Sequence, residues 1–103
     1  MIDRADEVAV ASVSWYELAW LAQHGRLHSD QPISAWLTDL SRHARTAGLT
    51  PAVAAAAVAL PDTFPGDPAD RQIYATAIEN GWPLVTKDTR MLDHPHSRQV
   101  AFW

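Results

Sequence analysis

The chain has 103 residues, enough for one small domain with a hydrophobic core, and we expect residues 1–103 to form a single domain. Hydrophobic residues make up 48% and charged residues 19%, a balance typical of a globular protein. The longest apolar run, residues 52–60, falls short of the roughly 20 residues that a membrane helix needs. The N-terminus has no signal-peptide pattern, so we expect a cytoplasmic protein without a membrane partner.

Charge and cysteine content exclude some kinds of binding site and leave others open. The absence of cysteine excludes disulfide scaffolds and thiolate metal sites. The net charge of −4 argues mildly against a surface that holds nucleic acid by neutralising phosphates. It leaves open an enzyme that acts on nucleic acid through divalent ions held by carboxylates.

The N-terminal half predicts a strand followed by two helices. Residues 8–13 are apolar and partly β-branched, as in a buried parallel strand. Ser14 to Glu17 fits a capping box, which places Glu17 in the first turn of a helix that stops at Gly25. Pro32 opens a second helix that runs to about residue 47, and residues 49–50 could form a short strand.

The C-terminal half is organised around residues 66–88. An alanine-rich helix covers about residues 51–60, and Asp67 caps a second helix that Asn80 and Gly81 close. Residues 83–86 read as a strand, residues 89–93 as one helical turn, and residues 99–103 as a last strand. This order predicts an α/β domain with a largely parallel sheet.

Three acids have the same kind of position in the predicted helices and strands. Glu17, Asp70 and Asp88 each lie in a first helical turn or where a strand gives way to a loop, so they could converge at one edge of the sheet. Hard oxygen ligands of this kind suit Mg²⁺ or Mn²⁺ and the activation of a metal-bound water. Each acid also has an ordinary explanation, because capping boxes, helix N-termini and exposed turns favour carboxylates.

Four segments resemble the PIN-domain family, and specifically the VapC-like toxins of type II toxin–antitoxin modules. They are VASVSWYELAWLAQHGRL, LTPAVAAAAVALP, DPADRQIYATA and GWPLVTKDTRML, and with the terminal strand they span residues 8–103 in the family's order. The resemblance implies a three-layer PIN fold and a metal-dependent endoribonuclease with an acidic Mg²⁺ or Mn²⁺ pocket. It also implies an RNA substrate, a cognate antitoxin and a homodimer.

Carried over by motif, Glu17, Asp70 and Asp88 become the metal-binding and catalytic acids. We expect Asp67 to cap a helix and shape the pocket, while Thr86 and Arg71 could assist in a supporting role or at the substrate. The histidines suggest no convincing zinc site, and the tryptophans of the early helices suggest a partner surface.

The resemblance also predicts a first strand that ends in an aspartate, and residues 1–7 do not supply it. We therefore expect an N-terminally truncated PIN domain, through either a start site assigned too far downstream or a true truncation. Loss of a central strand would expose backbone groups of its neighbours. Two functions stay open on this reading, an active ribonuclease and an inactive module that binds an antitoxin.

Overall fold

The computed structural model describes residues 8–25, 30–86, 88–96 and 98–102. They form two compact units, of which the first ends at Gly48 and the second begins at Leu49. The elements in chain order are β1 (Ala9–Ala11), α1 (Ser12–Gln23), α2 (Ile33–Ser41), β2 (Arg45–Ala47), α3 (Pro51–Ala59), α4 (Pro68–Asn80), β3 (Leu84–Val85), α5 (Thr89–Leu92) and β4 (Ala101–Phe102).

The first unit pairs β1 with β2 in parallel, from Ala9 opposite Arg45 to Ala11 opposite Ala47. Trp15 on α1 ties the helix to this sheet, since its indole Nε1 donates a hydrogen bond of 2.9 Å to the Thr46 hydroxyl. Trp15 is one of the early-helix tryptophans, and their role as a partner surface stays a prediction.

The structure differs from the predictions for the first unit both at the start of α1 and after α2. The pairing of β1 with β2 ends at Ala11, and Ser12 and Val13, which we predicted in the strand, belong to α1. Ala11 is the N-cap of this helix, and no side chain hydrogen-bonds to the cap. The predicted capping box is therefore absent. The second helix ends at Ser41, and the short strand is Arg45–Ala47 rather than residues 49–50.

The second unit contains the buried core. Its larger cluster packs α4 against α5 and β4 and consists of Phe64, Tyr74, Ala77, Met91, Val100 and Ala101. A smaller cluster, Val53, Ala57 and Ala75, joins α3 to α4. His94 lies edge-on to the rings of Phe64 and Tyr74, with ring centroids 5.0 and 5.5 Å apart. This histidine packs as an aromatic ring, and burial lowers its pKa.

Local signals at α4 were read correctly. Asp67 is the N-cap, Pro68 is the first helical residue, and Gly81 closes the helix with a φ of 67° that favours glycine. After the helix, β3 and β4 pair in parallel, with Leu84 opposite Ala101 and Val85 opposite Phe102. The predicted helical turn is α5.

The α/β class with parallel strands is confirmed. Among the described residues the strands form two parallel pairs, β1 with β2 and β3 with β4. Within the same part of the chain, none of the helices has the length and apolar character that a bilayer-spanning segment would require.

Candidate active site

Asp70 is placed by the start of α4. The carboxylate Oδ1 of Asp67 accepts hydrogen bonds from the backbone N–H groups of Ala69 at 2.8 Å and of Asp70 at 3.2 Å. This cap satisfies two amides of the first turn and leaves the Asp70 side chain outside the capping network. The Asp70 side chain is 21% exposed.

Asp88 is placed by the end of β3. Its backbone N–H donates to the Thr86 hydroxyl at 3.1 Å, and its carboxylate Oδ1 accepts from the backbone N–H of Arg90 at 2.9 Å. Asp88 is therefore the N-cap of α5, and the Thr86 hydroxyl accepts its backbone N–H; a supporting role of Thr86 at the site stays a prediction. The Asp88 side chain is 25% exposed.

The Arg90 guanidinium joins the two acids. Its Nε and Nη2 donate to the two carboxylate oxygens of Asp88 at 3.2 and 2.9 Å, which is a bidentate contact. The same Nη2 lies 3.5 Å from Oδ2 of Asp70. The structure thus brings two of the three predicted acids together, although Asp70 and Asp88 are distant in sequence.

The two acids have opposite electrostatic environments. Burial, and then the negative charges of Asp67 and Asp88, raise the pKa of Asp70 above its ordinary value, while Arg90 opposes this shift. The side-chain hydrogen bond from Arg90 lowers the pKa of Asp88. Asp70 is the carboxylate that gains most from a further positive charge, because its present counter-charge is shared with Asp88.

Glu17 belongs to the first unit. It is the sixth residue of α1, because the helix begins at Ser12, so it lies beyond the first turn where the sequence predicted it. Its side chain is half-buried. Its role as a third acid of the site stays a prediction.

Arg71 is bound to backbone carbonyls of its own unit. Its Nε donates to the carbonyl of Pro65, and its two terminal nitrogens donate to those of Ala57, Leu60, Pro61 and Phe64, at 3.0 to 3.4 Å. Five donors are all that a guanidinium has. Arg71 therefore fastens the end of α3 and the following loop to α4, and its N–H groups are committed to that loop rather than to a substrate.

Sequence reasoning missed Arg90. The signal available was its position two residues after an acid at a predicted helix N-terminus, where a side chain can fold back on the cap. That pattern is common and gives no hint that the same guanidinium also reaches Asp70.

The acidic pair fits a divalent cation in part. Mg²⁺ usually binds through one or two carboxylates and keeps several waters, and the oxygens of Asp70 and Asp88 around one guanidinium meet that requirement. Within the described ranges, no group of three or more acidic or histidine side chains is close enough to hold a metal ion.

Comparison with known proteins identifies the family. The PIN domain model matches residues 1–96. The chain is also 61% identical over 102 residues to Ribonuclease VapC22 of Mycobacterium tuberculosis (strain ATCC 25618 / H37Rv), an alignment that covers 99% of this chain and 78% of that protein. No solved structure gave a match. The resemblance found in the motifs is thus confirmed, and the chain belongs to the PIN-domain family, among its VapC-like members.

Proposed function

We propose that this protein is a metal-dependent endoribonuclease, the toxin of a type II toxin–antitoxin module that acts in the cytoplasm. Family membership supports this proposal, as does the printed name of the mycobacterial relative, a ribonuclease. The observation that supports it most directly is the convergence of Asp70 and Asp88 on one guanidinium. Two carboxylates that share one counter-cation form a place where a divalent ion is electrostatically favourable.

Asp70 and Asp88 would hold Mg²⁺ or Mn²⁺, with Glu17 as the third acid. When bound, the ion supplies a water activated for attack on a phosphodiester and neutralises charge that develops on the phosphate. Asp88 is oriented for this task by Thr86 and by its capping bond to the Arg90 backbone. Asp70 is oriented by the capped first turn of α4.

The proposal includes the partners that accompany such a toxin. RNA is the substrate, a cognate antitoxin covers the acidic pocket, and the protein forms a homodimer. The rival function is an inactive module that binds the antitoxin without cleaving RNA. Binding of a coexpressed antitoxin by a protein that shows no metal-dependent cleavage would favour that rival.

The test is RNA cleavage by the purified protein in the presence of Mn²⁺, Mg²⁺ or EDTA. We expect Asp70→Asn to lower the cleavage rate by about a hundredfold or more, because loss of even an outer-shell partner of a metal site costs about 10- to 100-fold. The Asp70 side chain takes no part in the helix cap, so the variant keeps the bonds that start α4.

Asp62→Asn is the matched control, since Asp62 is an exposed acid of the same unit in the loop after α3. It should cleave at the rate of the unaltered protein. Equal rates for Asp70→Asn and Asp62→Asn would remove Asp70 from the mechanism.

A further inference from the structure

The Arg90 guanidinium contacts both of the acids that would hold a divalent cation. Its contacts use both oxygens of Asp88, at 3.2 and 2.9 Å, and Oδ2 of Asp70, at 3.5 Å. A metal ion bound by these carboxylates needs the same oxygen lone pairs, because an ionised carboxylate offers only two acceptor atoms. The guanidinium and the metal therefore cannot both have their full sets of contacts.

The Arg90 side chain can move away from the two carboxylates without disturbing the fold. The guanidinium side chain of Arg90 is 62% exposed, whereas the two carboxylates are 21% and 25% exposed. An exposed ion pair is held weakly and exchanges readily with solvent and other ions. The cap of α5 does not depend on this side chain, because Asp88 accepts from the backbone N–H of residue 90.

We propose that Arg90 is a displaceable counter-ion of the acidic pair, which a divalent cation must replace when it binds Asp70 and Asp88. The inference rests on the proposed function, since it assumes that these acids hold the metal. In the metal-free protein the guanidinium limits the repulsion between the two carboxylates. In the metal-bound protein the ion takes over that task, and the guanidinium turns out toward solvent. Arg90 thus sets the affinity of the site for metal, as a positioning residue rather than a catalytic one.

The first experiment measures Mn²⁺ binding to the full chain by titration calorimetry. Arg90→Gln removes the competing cation, and we expect Mn²⁺ to bind about tenfold more tightly, the scale of one lost charge-assisted hydrogen bond. Arg90→Lys keeps the charge but loses the two-pronged contact, so its affinity should lie between those of the other two proteins.

Arg42→Gln is the matched control. Arg42 pairs with Asp39 at 3.3 Å in an exposed contact three residues apart on the first unit. It removes the same charge from the chain without touching the acidic pair, and Mn²⁺ should bind this variant as it binds the unaltered protein.

The second experiment observes the guanidinium itself. In ¹H–¹⁵N spectra the Nε–H signal of Arg90, assigned by its loss in Arg90→Lys, should move to the free-arginine position as Mg²⁺ saturates the protein. Persistence of the paired signal at saturation would overturn the inference, because metal and guanidinium would then bind together.

The calorimetry separates the remaining outcomes. Unchanged or weaker Mn²⁺ binding by Arg90→Gln would overturn the inference while leaving the proposed metal site intact. Equal tightening by Arg90→Gln and Arg42→Gln would also overturn it, because the net charge of the chain would then explain the effect. Absence of binding by all variants would overturn the metal-dependent function together with this inference.

Discussion

Two regions of the second unit each contain an arginine that makes several hydrogen bonds, and the two arginines donate to different kinds of acceptor. Arg71 donates to five backbone carbonyls at the end of α3 and in the loop that follows. Its guanidinium carbon also lies 5.9 Å from the centroid of the Phe64 ring. Arg90 contacts two carboxylates and is largely exposed.

The kind of acceptor determines whether an arginine serves the fold or the binding of a ligand. Backbone carbonyl oxygens in a loop are neutral, and a metal ion or other cation does not readily replace the guanidinium that donates to them. Such a guanidinium is therefore part of the fold. Carboxylates attract any cation, so a guanidinium that neutralises them can be replaced by a metal ion. The Arg71 region should therefore control stability, and the Arg90 region should control ligand binding.

The largest expected effect tests the first half of this comparison. A lysine at position 71 cannot reach five acceptors, and carbonyls left without partners away from water destabilise the folded state. We expect Arg71→Lys to lower the free energy of unfolding by about 3 kcal/mol, a large share of the stability of a small domain. The urea midpoint measures this change.

Arg90→Gln is the matched comparison for Arg71→Lys. Its urea midpoint should stay within experimental error of the unaltered protein, because the pair is exposed and the α5 cap uses a backbone N–H. Equal urea midpoints for the two variants would show that Arg71 contributes no more to stability than Arg90 does.

A smaller effect is expected at Asp67, which borders both regions. It caps α4, and its charge contributes to the raised pKa of Asp70. Asp67→Ala should cost about 1 kcal/mol of stability, the usual value of an N-cap. Asp67→Asn keeps the cap and removes only the charge, so it should leave stability nearly unchanged.

The two Asp67 variants therefore separate capping from electrostatics. Both should lower the pKa of Asp70, measured by NMR titration of its side-chain carbonyl carbon. A destabilisation of Asp67→Asn equal to that of Asp67→Ala would show that the capping bonds are not what holds the start of α4.

Prediction from sequence succeeded where the signals are local. Asp67, Pro68 and Gly81 determine the ends of α4 through their own backbone preferences, and the structure uses them as predicted. The strand at Arg45–Ala47 was missed because its residues show no apolar pattern, and backbone pairing with β1 alone determines it.

At the candidate site as well, only the features that local signals determine could be predicted. The position of Asp70 and Asp88 at element ends follows from turn and capping residues, so these acids could be selected. The role of Arg71 could not, because its acceptors lie 6 to 14 residues earlier in the chain, and any loop offers carbonyls. The contact from Arg90 to Asp70 joins two elements and leaves no trace in either motif.

The two carboxylates of the acidic pair should also differ in how they change stability with pH, by a smaller amount than the effects above. Because the pKa of Asp70 is raised above the ordinary 3.8, the folded state binds this proton more tightly than the unfolded state does. The stability that Asp70 contributes is therefore fully present below pH 3.8 and is lost as the pH rises through the folded-state pKa. Asp70→Asn removes this loss, so its urea midpoint should rise relative to that of the unaltered protein as the pH rises from below 3.8 through the folded-state pKa of Asp70. Asp88 has a lowered pKa, so its contribution has the opposite sign: it is present above pH 3.8 and is lost as the pH falls through the folded-state pKa. A midpoint for Asp70→Asn that falls relative to the unaltered protein on going to pH 7 would mean that Arg90 already compensates Asp70 fully, and the pair would then offer a metal ion little electrostatic gain.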